Sequence, residues 1–534
     1  MSSAAPVKPA GIPRRAGLVL VALILGAFVC NVGLSVANIA LPDIGRDLNA
    51  SQTSLTLVAV GCTLGLAMSV LYFGAIGDRY GRKRLLMLGL AITIPASAIS
   101  AWAPTVEVLI GGRLLTGLAA GMAYPTTLAL VTALWADGSA RTRAIALWSG
   151  VSGGAAILGP VLAGLLLEDF WWGSVFLIAV PFAVAGLIMV WRLVPAGVHE
   201  SAERVDHAGG VISVVMVATL VLGIGIISAP GKLAMAITLV LVALMLAVAF
   251  TWHEKRAANP LYDLTYAVRR LFWVPAIAGM IIFGSLMGAM FVGQQFMQNV
   301  LGYSTLAAGG AVLPAALGMM GVAPLSARMV TARGSRDTML LGYAFILPAF
   351  LVMLITWQQG TGYAWVGLSY LLIGIGAGLA LTPAAKSLTG SVPISRVGMS
   401  SGTNDLQRDL GGSIMQALLG TLLTIGYATA FTNQIAQSAE ASEVSESTQN
   451  ALTQSYSGAA ALAERYPQYQ DQIISAARQS FLEGANWAYA AGAIAVALGV
   501  LLVWSRFPGK AGEAAMLAGY REQDEAPGGP ATTP

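Results

Sequence analysis

The sequence predicts an all-α integral membrane protein with 14 transmembrane helices, and three observations lead there. Hydrophobic residues make up 56% of the chain and charged residues only 10%, against roughly a quarter charged in soluble domains. So much apolar surface needs lipid as its outer solvent. Apolar stretches of about 20 residues, the length a helix needs to cross the hydrocarbon core, recur at 17–40, 53–74, 84–103, 107–133, 142–167, 173–194, 208–229, 233–252, 273–298, 306–329, 338–357, 363–386, 398–429 and 485–505. The basic residues then separate by side. Of 29 Lys and Arg, 24 share the side of the 74–84 loop, four (Arg46, Lys232, Arg465 and Arg478) face the other, and Arg113 lies within a span. By the positive-inside rule the crowded side is cytoplasmic. Both termini are expected there, in a multi-pass protein of the plasma (inner) membrane.

Residues 1–16 carry Arg14 and Arg15 ahead of an apolar run too long for a signal-peptide core, so they read as a cytoplasmic tail. The first span sets Asn31, Ser35 and Asn38 on one helical face. Those neutral groups can hydrogen-bond a ligand or another helix but carry no proton at ordinary pH. Between spans two and three lies a charged island, Gly74-Ala-Ile-Gly-Asp78-Arg79-Tyr-Gly81-Arg82-Lys83-Arg84. Its glycines permit a tight turn, and Asp78 can accept charge-assisted hydrogen bonds from nearby arginines or a helix N-terminus. In span four Arg113 is costly in lipid without a partner or water, which makes it a functional candidate; snorkelling to the outer surface is the alternative. Span five contains Gly150, Gly159, Pro160 and Gly164, and its Gly-Pro pair weakens the helix ladder while letting a neighbour pack closely.

In span nine, Met280, Phe283, Met287, Met290, Gln294, Met297 and Gln298 fall within an arc of roughly 100°. That stripe reads either as ordinary packing or as a pliable wall for amphiphiles of varied shape. Span thirteen holds Asp405, Arg408 and Asp409, the acids one turn apart with Arg408 beside Asp405. Burial and the arginine pull their proton affinity in opposite directions, so they read as a titrating site or as an ion pair at a helix end. Residues 432–483, rich in Ser, Gln, Glu and Ala, are expected as an external loop with an amphipathic helix over 467–483, a solvated cap or a lid over the outer vestibule. The tail 506–534 is charged and rich in Gly and Pro, and is expected to be a disordered cytoplasmic segment.

These segments carry a resemblance. The 74–84 island is similar to the loop after the second span in the major facilitator superfamily, Gly-x-x-x-Asp-(Arg/Lys)-x-Gly-(Arg/Lys)-(Arg/Lys). Leu109–Gly121 resembles the family's intramembrane-arginine motif. Gly150–Gly164 resembles its antiporter motif, with Ala163 in place of one glycine, and Phe296–Pro314 resembles the ninth-to-tenth-span junction of the fourteen-span drug:proton antiporters. The resemblance covers the chain apart from 432–483 and the tails. It implies a major-facilitator fold: a six-helix bundle over 17–200, two extra helices over 201–256 and a second bundle over 257–505, with substrate near the midplane between the bundles. It further implies that Gly74, Asp78, Arg79, Gly81, Arg82 and Lys83 latch the halves, an ordinary solvated loop acid being the lesser alternative for Asp78. Gly150, Gly159, Pro160 and Gly164 would form a pivot. Arg113, Asp405, Arg408 and Asp409 would serve coupling, and Asn31, Ser35, Asn38, Met287, Met290, Gln294 and Gln298 would line the cavity.

The chain also departs from the family. Many relatives place an Asp five residues before the Asn of the first-span motif, and here that position is Gly33, ahead of Asn38-Ile-Ala-Leu-Pro42. The expected function is export of hydrophobic or amphiphilic drugs or antibiotics in exchange for protons, by a monomer that needs no cofactor, metal or nucleic acid and draws on the proton gradient. Gly33 keeps open a dedicated exporter of an endogenous lipid or secondary metabolite. A polytopic enzyme is the remote alternative, since Asn404–Asp409 loosely resembles a prenyltransferase aspartate motif, but no second aspartate cluster occurs to hold a metal diphosphate.

Overall fold

The computed structural model describes residues 15–135, 148, 159, 161–195, 205–226, 233–257, 260–392, 397–438 and 445–525. Among these residues every regular element is helical. The expected first span breaks at Val36 into α1 (Ala16–Ser35) and α2 (Ala37–Asp47). In α3 (Gln52–Tyr80) the Ser51 hydroxyl caps the start by accepting from the Ser54 amide, and Gly81 ends the helix at a φ of 111°. L side chains rarely adopt that conformation, and it lets α4 (Arg82–Ala101) reverse direction at once. The rest of the N-terminal half comprises α5 (Val106–Leu134), α6 (161–169), α7 (Ser174–Leu177) and α8 (Ala179–Leu193). Here α3 lies so close to α5 that a Cβ on Gly65 would strike the Gly117 backbone, an approach that small residues allow in lipid-embedded bundles.

Two further helices, α9 (His207–Gly225) and α10 (Leu233–Glu254), follow. The C-terminal half is built from α11 (Leu264–Ala267), α12 (Arg270–Asn299), α13 (Thr305–Gly310), α14 (Leu313–Arg333), α15 (Ser335–Thr356), α16 (Tyr363–Gly390), α17 (Val397–Gln437), α18 (Glu446–Gln454), α19 (Tyr456–Arg465), α20 (Gln470–Arg506) and α21 (Lys510–Glu525). Among the described residues twelve helices are long and apolar enough to cross a membrane. Of the remaining expected spans, 306–329 falls on α13 and α14, where the apolar stretch is the shorter Leu306–Val322. The expected span 142–167 lies largely outside the described residues.

The halves meet along α3 and α17. Thr56 faces Gly420 at one end of this seam, and Leu71 faces Gly402 at the other. Helix α9 packs on both, with the Thr421 hydroxyl donating to the Ile224 carbonyl at 3.1 Å. Helix α10 rests on α9 and turns Leu241, Met245, Val248 and Trp252 outward, as a lipid-facing helix must. The extra pair therefore covers one side of the seam between the halves.

Two expectations need correction. Residues 432–483, expected as an external loop with a helix over 467–483, are helical there and well beyond that stretch. At 41 residues α17 is about 60 Å long, twice the hydrocarbon thickness, and α20 already begins at Gln470. Helices α18 and α19 bridge them, held where the Tyr427 hydroxyl donates to the Leu452 carbonyl and where Ser457 packs on Gly45 of α2. The tail 506–534 is not disordered over 510–525. There α21 sets Met516, Leu517 and Tyr520 against the core, while buried Glu513 and Asp524 find partners. Its apolar residues share one face, which composition averaged over the whole tail conceals.

Candidate functional site

Span thirteen is the richest source of charge inside the bundle. Asp405 and Asp409 are buried on α17, 7% and 6% exposed, and Asp409 Oδ2 has no hydrogen-bond partner among the described residues. Arg408 between them stacks over the Phe283 ring of α12 at 4.8 Å. The ion pairs between described side chains join Arg46 to Asp43, His253 to Asp206 and Arg269 to Asp524, so Arg408 closes on neither neighbouring acid. Tyr124 of α5 is buried close to Arg408 of α17 and to Asn31 of α1, and Asn31 donates to the Ala27 carbonyl at 2.9 Å. Polar groups of α1 and α5 in the first half thus lie near α17 of the second. Sequence reasoning missed Tyr124. The signal was its position eleven residues after Arg113, three helical turns further along the same face.

Arg113 is 1% exposed and does not snorkel. Its Nη1 donates to the Gly33 carbonyl at 2.6 Å and its Nε to the Val58 carbonyl at 3.2 Å. The guanidinium lies 5.5 Å from the Phe176 ring centroid, and Nη2 has no partner among the described residues. Gly33 therefore meets the arginine through its backbone.

The 74–84 turn is pinned within the first half. Arg82 Nη1 donates to the Ala129 carbonyl of α5, and Lys83 Nζ donates to the carbonyls of Trp191 and Val194 at the end of α8. Arg79 is exposed and Gly74 touches nothing a Cβ would meet; the Asp78 side chain lies outside the described residues. Of the expected pivot, Gly159 and Gly164 are buried, while Gly150 and Pro160 lie outside the described residues.

The expected cavity residues divide. Met290 is in the core, and Met287 packs on Gly412 of α17. Gln294 is fully buried with neither amide atom partnered among the described residues, and the Asn38 carbonyl oxygen is in the same state. Gln298 donates to the Ile39 carbonyl at 3.1 Å, joining α12 of one half to α2 of the other. The Ser35 side chain lies outside the described residues. At the ends of α9 and α10, His253 Nε2 lies 2.8 Å from Asp206, and His207 Nδ1 lies 3.0 Å from the Tyr72 hydroxyl.

Comparison with known proteins agrees with this geometry. The profile of the Major Facilitator Superfamily matches residues 23–416. The multidrug efflux pump LfrA of Mycolicibacterium smegmatis is 31% identical over 474 residues, covering 88% of this chain and 92% of that protein. The multidrug resistance protein Stp of Mycobacterium tuberculosis is 31% identical over 410 residues, covering 76% of this chain and 75% of its own length. The methyl viologen resistance protein SmvA of Salmonella typhimurium is 29% identical over 480 residues, covering 88% and 93%. Among solved structures, the inward-facing, unoccupied bacterial homologue of the human lysosomal transporter Spinster superposes with a TM-score of 0.62 at 13% identity, over 94% of this chain and 98% of that one.

Proposed function

The chain belongs to the major facilitator superfamily, and from that premise we propose that it exports hydrophobic or amphiphilic compounds, drugs and antibiotics among them, in exchange for protons. The substrate class is supported by relatives named multidrug efflux pumps that align over most of the chain. The proton coupling rests on one observation above the others: Asp409 is buried at the seam with a carboxylate oxygen left unpartnered among the described residues.

A buried carboxylate is expensive as an anion and cheap as an acid. An aspartate that meets the two compartments in turn can therefore take a proton outside and lose it inside. In its ionised form it draws on Arg408 or on a cationic substrate, and in its neutral form it lets the halves close without an unpaired charge. Asp405 would share this task. Asn31, Asn38, Gln294 and Gln298 would hydrogen-bond the cargo, Met287 and Met290 would adapt to its shape, and the 74–84 turn would bias the cytoplasmic gate. The architecture that goes with this reading has fourteen spans, two six-helix bundles over 17–200 and 257–505, and both termini in the cytoplasm.

The test is proton movement in inverted membrane vesicles holding a pH gradient, with lipophilic cations and neutral drugs added. Collapse of the gradient on adding a compound, lost in Asp409→Asn, supports the reading. A silent panel with well-expressed protein overturns broad drug export and favours a dedicated exporter of an endogenous product, the reading that Gly33 keeps open.

A further inference from the structure

The charge on Arg113 lacks an anion. Its two bonded nitrogens meet neutral carbonyls, and its third, Nη2, meets no partner among the described residues. The helices around it offer no carboxylate near its depth: the sequence holds no Asp or Glu in α1, α4, α7, α8 or residues 144–167, the one acid of α5, Glu107, is exposed in its first turn, and the one acid of α3, Asp78, lies twenty residues beyond Val58 at that helix's other end. The nearest acids of α2 are engaged elsewhere, Asp47 by the Trp172 indole at 2.6 Å and Asp43 by Arg46. Removing a lone ion from water costs several kcal/mol even after relaxation, and one aromatic face at 5.5 Å offsets only part of that.

Beside the guanidinium lies a small cavity of about 10 Å³, walled by Gly33, Ser97, Arg113, Thr116, Val175 and Phe176. That room is on the scale of one water or one monatomic ion. The lining is mostly apolar, with Val32, Val36, Val175, Phe176 and Ala179; the Thr116 hydroxyl is spent on the Gly112 carbonyl at 2.9 Å, which leaves Arg113 Nη2 and the Ser97 hydroxyl to face a weakly hydrated, spherical anion.

We propose that this cavity is a halide site, in which a chloride-sized monovalent anion sits against Arg113 Nη2 and takes the place of the missing carboxylate. The site stands independently of the substrate and of the proton carrier. Gly33 is the key to testing it. A Cβ at this position would have Thr116 Cγ2 as its nearest neighbour, at an ordinary 3.5 Å, so the backbone accepts a side chain there, and an aspartate would put a carboxylate on the residue whose carbonyl already meets the guanidinium.

The experiment is thermal unfolding of the purified full chain at constant ionic strength, with gluconate replaced stepwise by chloride, bromide or sulfate. The wild type should gain about 2–5 °C saturably in chloride and bromide and nothing comparable in sulfate. Arg113→Gln should lose the halide response. Gly33→Asp should also lose it, while unfolding in gluconate at the temperature the wild type reaches in chloride. A wild type indifferent to halide overturns the proposal, as does a halide response that survives unchanged in Gly33→Asp. If Arg113→Gln fails to fold, the wild type and Gly33→Asp decide the matter alone.

Discussion

Two arginines of this protein are almost equally hidden from solvent and are treated in opposite ways. Arg269, at the start of α12, is 8% exposed, and both of its terminal nitrogens meet the Asp524 carboxylate of α21, at 2.5 and 3.0 Å. It also donates to the Ser391 carbonyl at 2.8 Å and lies between the rings of Tyr266 and Tyr520. Arg113 is 1% exposed, bonds only to neutral carbonyls and keeps one nitrogen unpartnered among the described residues. The first is a satisfied clasp; nearby, Glu513 accepts from the amide and hydroxyl of Ser335 and from the Ser387 hydroxyl, so α21 ties the neighbouring ends of α12, α15 and α16 together. The second is a charge left in want of a partner within the half that would move against it. Burial alone does not mark a functional charge. Incomplete neutralisation does.

Substitutions can break this contrast, beginning with the clasp. Arg269→Gln leaves Asp524 buried without its cation and should cost about 3–5 kcal/mol, measured as a lower unfolding temperature and earlier proteolysis at α21. Arg113→Met should behave in reverse: in halide-free gluconate stability holds or rises, because an apolar side chain replaces a charge without its anion, while drug export falls tenfold or more, about 1.4 kcal/mol in the transport barrier. Gln298→Ala removes a neutral hydrogen bond between the halves, about 1 kcal/mol. It should speed labelling of Asn38→Cys by a membrane-impermeant thiol reagent added outside about fivefold. The smallest effect is expected from Arg269→Met combined with Asp524→Leu, which exchanges the clasp for apolar packing and should stay within about 1 kcal/mol of the wild type.

Much of the architecture could be read from hydropathy. The twelve helices long enough to cross a membrane fall on expected spans because lipid demands uninterrupted apolar length. The burial of Arg113, Asp405 and Asp409 was legible for the same reason, since any charge within such a run stands out. What escaped were features that depend on partners far apart in sequence. Asp524 looks like an ordinary acid of a polar tail until α21 folds back across 255 residues to meet Arg269. Tyr124 is one aromatic among many until the fold brings it near Arg408 and Asn31. The methionine stripe of α12 had the right period, but period cannot tell a cavity wall from a helix contact, and Met287 meets Gly412. In the 74–84 turn, the bonds of Arg82 and Lys83 to α5 and α8 of their own half are likewise contacts that the motif alone does not reveal.

The central claim is that a carboxylate on α17 carries the proton that drives export. Inverted vesicles containing the wild type or Asp409→Asn at equal abundance test it most directly, with a lipophilic drug added to an established pH gradient. The account predicts that the drug collapses the gradient in wild-type vesicles and leaves it intact in Asp409→Asn. Equal collapse in both would contradict it, and would mean that the proton travels by a route not involving Asp409.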